Sequence, residues 1–98
     1  MRNNTYVTYV RKAGRKCGMV VFVDTQEGLK FGWSKFACNK ECPHDYDKKL
    51  GKEIAMGRVV ANRPYVLHEL PYLVQQKVIK VLPFVVQRYG KAVDNLCL

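Results

Sequence analysis

Cys38, Cys42 and His44 place three soft donors in the run Cys-x-x-x-Cys-x-His. Thiolate and imidazole are ligands that zinc prefers, and Cys17, in a preceding loop, is a candidate fourth. Structural zinc sites are ordinarily built from two paired knuckles, and this chain has neither a second close cysteine pair nor a histidine pair. The spacing favours free thiols, so no metal and no cofactor is expected. His44 and His68 are the two side chains that titrate near neutrality unaided. Two-histidine cleavage of a phosphodiester needs both at one cleft beside a cation. They stand in separate loops, and no spacing joins them. The chain also lacks a glycine-rich phosphate cradle, a carboxylate pair and a nucleophile elbow. A binding protein is expected, not an enzyme or a receptor for a small-molecule substrate.

Charge is the stronger signal. Lys and Arg number 17 against 8 Asp and Glu, a formal net charge of +9 in 98 residues. Such an excess opposes compaction and favours association with nucleic acid or an acidic surface. Arg11, Lys12, Arg15 and Lys16 concentrate four cations between two strands, with no acid among them. Lys30 and Lys35 fall on the next strand, and Lys48, Lys49, Lys52 and Arg58 on a helix. Lys48 and Lys52, one helical turn apart, repel unless an anion lies between them. Tyr6, Tyr9, Phe22 and Phe36 offer rings for base stacking beside these cations. The expected site is these ten cations, and RNA or single strands are favoured because no helix-turn-helix or zinc-finger grammar points to duplex DNA. The alternative is an inhibitor that docks on an acidic protein face, steered by the same charges.

Several short elements must carry these residues. Thr5 to Arg11 is rich in β-branched and aromatic residues and predicts a strand. The stretch 12–18, with two glycines and three cations, predicts a loop. Met19 to Asp24 predicts a central strand, apolar on both faces. Thr25 to Gly28 predicts a turn, and Leu29 to Phe36 an alternating strand with Lys30, Gly32 and Ser34 on a polar outer face. Asp45 is the expected N-cap of a helix over 46–60, whose stripe Tyr46, Leu50 and Ile54 faces Leu29, Phe31 and Trp33. Gly51 and Gly57 suit close approach to the sheet. Asn62-Arg63-Pro64 ends that helix. Leu70, Leu73, Val74, Val78, Val81 and Val85 mark a second helical region to Gly90, with a break expected at Pro83. The sum is one α+β domain over 1–98: a three-stranded antiparallel meander, then two to three helices packed on one face, with a frayed tail over about 92–98.

The N-terminal residues lack the apolar core of a signal peptide, and charges interrupt every long apolar run. A cytoplasmic location with no membrane partner is expected, and reduced thiols with it. Trp33-Ser34-Lys35-Phe36-Ala37-Cys38-Asn39, followed from Asp45-Tyr46 by the run Lys48-x-x-Gly51-x-x-Ile54-Ala55-x-Gly57-Arg58, resembles a pattern in small uncharacterised bacteriophage accessory proteins. Tyr46 stands where that pattern has Phe, and the loop before Asp45 is longer. The resemblance covers about a quarter of the chain. It implies an early-expressed factor acting on host or defence machinery in the bacterial cytoplasm, and it brings no catalytic residues with it.

Overall fold

The computed structural model describes residues 4–36 and 47–97. The chain folds as α+β, an antiparallel sheet of three strands followed by two helices packed on it. Strand β1 (Thr5–Lys12) pairs with β2 (Arg15–Thr25), which pairs with β3 (Gly28–Lys35). The strands run further than the expected loop over 12–18 allows. A two-residue turn, Ala13-Gly14, joins β1 to β2 with both residues at positive φ, the geometry that matches strand twist. A bulge at Cys17 separates the pairs Val10–Gly18 and Arg11–Lys16, and the Cys17 carbonyl accepts from the Phe36 amide at 2.7 Å. At the other end of β2, the Thr25 hydroxyl donates to the Gly28 carbonyl at 2.6 Å and closes the turn to β3.

β2 is apolar on both faces, and Met19, Val20, Val21 and Phe22 are all buried. A strand of that pattern needs cover on each side. Helix α2 (Tyr72–Tyr89) lies over Val10, Val20, Phe22, Leu29 and Phe31, to which it contributes Val74, Val78 and Val85. Helix α1 (Lys48–Ala61) lies on the other face, where Ala55 and Met56 meet Met19, Val21 and Tyr9. The helices therefore sandwich the sheet, where the sequence predicted them on one face. The alternation of β3 had suggested a solvated Lys30–Gly32–Ser34 side. Gly32 instead leaves a notch that the α1 backbone fills, and a Cβ there would fall on the Ala55 carbonyl oxygen and 2.7 Å from Val59 Cγ2.

The same close approach rotates α1 from its expected orientation. Gly51, Ala55 and Val59 face the sheet, and Leu50 stays 45% exposed. Small residues win that face because they bring the helix within reach of Gly32; Gly57 is exposed and plays no such part. The N-cap is Asp47, whose carboxylate accepts from the Leu50 amide at 3.0 Å. The expected cap Asp45 and stripe residue Tyr46 lie outside the described residues. Asn62 ends α1 in the left-handed conformation. Strand β4 (Tyr65–Val66) and a 3₁₀ turn (Leu67–Glu69) lead to α2, which runs unbroken through the exposed Pro83 to a Gly90 cap.

The tail is not frayed. Its backbone meets the open edge of β3, with the Leu29 amide donating to Ala92 and the Asp94 amide to Leu29. Asn95, itself buried, acts as a substitute strand: its amide oxygen accepts from Phe31 N at 2.7 Å and its Nδ2 donates to Phe31 O at 2.9 Å. Leu96 enters the core, and β5 (Leu96–Cys97) pairs parallel with β4. A sheet edge left open is a site of aggregation, and here Ala92, Asp94 and Asn95 cover the β3 edge at Leu29 and Phe31.

Candidate nucleic-acid interface

The cations predicted for the site divide into a surface set and a structural set. Lys30 belongs to the second. It is 6% exposed, and its ammonium pairs with Asp94 and, at 3.6 Å, with Glu27. The hydrogen bond to Asp94 raises the Lys30 pKa above its ordinary value, against the opposing effect of burial. Arg58 is likewise committed to the fold. Its guanidinium stacks 4.0 Å from the centre of the Trp33 ring and donates to the Trp33 carbonyl at 2.7 Å. Neither side chain joins an exposed basic surface, and sequence alone gave no signal of the tail and helix contacts that hold them.

The remaining cations gather at the β1–β2 tip. Arg11, Lys12 and Arg15 are exposed, and the register sets Arg11 opposite Lys16 and Lys12 opposite Arg15. Lys16 Nζ lies 4.3 Å from the centre of the Tyr9 ring, on the α1 side of the sheet. There the first turn of α1 delivers Lys48. Contact with that ammonium is the main reason the Lys16 pKa falls below its ordinary value, with burial and then Arg11 adding to the effect. Lys35 ends β3 opposite Gly18, beside the same tip. Lys49 and Lys52 continue the exposed surface of α1. Sequence spacing placed Lys48 on a different element from Lys16; the crossing of α1 over the sheet joins them.

Three acids occupy the opposite end, while Asp47 caps α1 beside Lys48. Asp24, Glu27 and Asp94 cluster about the β2–β3 turn, where Lys30 and Lys91 pair with them; Lys91 Nζ reaches Asp24 at 2.7 Å and the Thr25 carbonyl at 2.8 Å. β2 spans 11 residues between the two turns, about 35 Å at the rise of a strand. The described ion pairs therefore lie at one end of β2 and the hairpin cations at the other.

The rings offered for stacking are largely enclosed. Phe22 is fully buried, and Tyr6 packs between Phe22 and Phe84 at 6.4 and 6.0 Å between ring centres. Tyr9 lies beneath Lys16, and Phe36 is half-buried. Of the candidate metal ligands, Cys17 is buried in the core, whereas Cys38, Cys42 and His44 lie outside the described residues. His68 is exposed on the 3₁₀ turn. Among the described residues no three His, Cys, Asp or Glu side chains are grouped as a metal site requires, and no helix is long and apolar enough to cross a membrane. Comparison with protein-family models, curated proteins and solved structures returned no match.

Proposed function

We propose that this chain is a non-enzymatic accessory protein that binds nucleic acid through the basic tip of its β1–β2 hairpin. The observation that carries the reading is the convergence of cations: Arg11, Lys12, Arg15, Lys16 and Lys48 meet at this tip, while the described ion pairs sit at the β2–β3 end. A fold gains nothing from bringing like charges together; Lys16 titrates low for that reason, and directly opposed like charges weaken a strand pair. A polyanion offsets that repulsion, and the release of its counterions supplies the free energy of binding. The resemblance to bacteriophage accessory factors agrees with such a role in a bacterial cytoplasm.

The test is capture of partners by the tagged protein with and without nuclease, followed by titration of labelled oligonucleotides over a range of salt. Loss of the captured material on nuclease treatment is the expected result. Neutralising Arg15 and Lys16 (R15Q/K16Q) should flatten the logarithmic salt dependence by about 1.4 units on a single strand or about 1.8 on a duplex, equally for every sequence. A stoichiometric protein that survives nuclease and is released by R15Q/K16Q would replace this reading with docking on an acidic protein face.

A further inference from the structure

Helix α2 presses Val74, Val78 and Val85 onto the sheet. Away from that contact, residues four apart form an oblique row along the helix: Tyr72, Gln76, Lys80, Phe84 and Arg88, every one of them exposed. Tyr72 is 70% exposed and Phe84 54%. Among the described residues no other aromatic side chain is exposed. The helix carries Lys77, Lys80 and Arg88, and its 18 residues include no acid. Phe84 leans on Tyr6 with ring centres 6.0 Å apart, and the Arg88 guanidinium lies 5.7 Å from the centre of the Tyr89 ring. The row therefore alternates ring and cation on a rigid support, on the face of the sheet opposite α1.

Single strands are held by bases stacked on open rings, with cations beside the rings to follow the phosphates. The hairpin tip supplies charge without an open ring, since Tyr9 lies beneath Lys16. Resting on the nucleic-acid reading above, we propose that the outer row of α2 is a stacking platform for single-stranded nucleic acid. Tyr72 and Phe84 receive bases, Lys80 and Arg88 meet phosphates, and the Gln76 amide offers a donor and an acceptor to a base edge. At 1.5 Å per residue the two rings stand about 18 Å apart along the axis. Phosphates repeat at about 3.4 Å in a stacked strand, so about five nucleotides cover that distance, and fewer in an extended one. Every base has a face to stack, so the platform accepts RNA and DNA alike and selects no sequence. A duplex keeps its bases stacked on one another and leaves these rings nothing to receive. A second copy of α2 fits less well, because it would bring three more cations to this face and no acid to pair with them.

Fluorescence anisotropy with labelled oligothymidine, oligouridine and a DNA duplex tests this over a range of salt, with each variant checked by its melting curve. Tyr72→Ala is expected to weaken both single strands by roughly fivefold or more, and Phe84→Leu, which keeps an apolar contact for Tyr6, to weaken them as well. Neither variant removes a cation, so the logarithmic salt slope should stay as it is, and duplex binding should not change. K80Q/R88Q should instead flatten the slope on single strands by about 1.4 units. Full single-strand affinity in both ring variants overturns the platform, while a reduced slope in R15Q/K16Q would leave nucleic-acid binding at the tip standing. An equal loss on the duplex would assign the rings a structural role and also overturns it. A dimer in sedimentation that Tyr72→Ala dissociates would give this face to a second copy. No binding to any of the three probes overturns both readings.

Discussion

Gly32 controls the α1 face of the molecule from a position that looks unremarkable in an alternating strand. Its missing side chain is the space the Ala55 carbonyl occupies. Gly32→Ala is expected to cost about 3 kcal/mol or more, because backbone atoms rather than a flexible side chain must move. Urea denaturation measures this, and an unchanged midpoint would mean that α1 does not lie against Gly32. Lys30 makes a pH-dependent contribution. Its pKa is raised in the folded chain, chiefly by the hydrogen bond to Asp94. The resulting stability is therefore fully present below the unfolded-state value of ~10.4 and is lost as pH rises through the higher folded-state value. The stability difference between wild type and Asp94→Asn should hold steady from neutral pH to about pH 10 and shrink above it. A difference that grows with alkalinity would show that Lys30 is not held by Asp94. At this scale the sequence offered Lys30 and Arg58 as surface cations, since residue type carries no information about which carboxylate or ring a distant segment will bring.

Strand β3 shows how an element's surroundings can reverse the meaning of its pattern. Lys30, Gly32 and Ser34 alternate with Leu29, Phe31 and Trp33 as a half-solvated strand would, yet Lys30 and Ser34 are buried. Its outer edge is closed in three steps, by Ala92 and Asp94 at Leu29, by Asn95 at Phe31, and by Arg58 at Trp33. The tail is accordingly a structural element. Leu96→Ala should cost about 2–5 kcal/mol as the truncation of a core side chain. Ile54→Ala, on the half-buried flank of α1, should cost less. Comparing the two midpoints in guanidinium decides between this arrangement and the one periodicity suggested, in which Ile54 faces the sheet and the tail is dispensable. The tail's role was hidden because it depends on side-chain hydrogen bonding by Asn95 and on pairing between Tyr65 and Leu96, contacts with no local signature. α2 was visible in its spacing, and Pro83 leaves it whole because an exposed ring removes one hydrogen bond without displacing packed side chains.

Among the described residues, the ion pairs gather at the β2–β3 end and the exposed hairpin cations at the other. Neutralising the tip should therefore leave the melting temperature unchanged or slightly raised, since K12Q/R15Q removes an opposed like-charge pair from exposed strand positions. A clear fall in melting temperature would mean that the tip cations are held by acids of the fold, and the interface would have to be sought on Lys49 and Lys52. The sequence by itself determined the α+β class, the order of three strands and two helical regions, the Gly90 cap, and the concentration of cations between β1 and β2. Those features follow from local periodicity, backbone preference and composition, which act over a few residues. Tertiary structure alone decided that the helices take opposite faces, that Gly51, Ala55 and Val59 rather than Leu50 and Ile54 meet the sheet, and that Lys48 joins the hairpin cations while Lys30 and Arg58 leave them. Each of those outcomes depends on how closely two backbones can approach and on which distant carbonyl, carboxylate or ring then comes within reach, and neither distance is encoded in any short window of the chain.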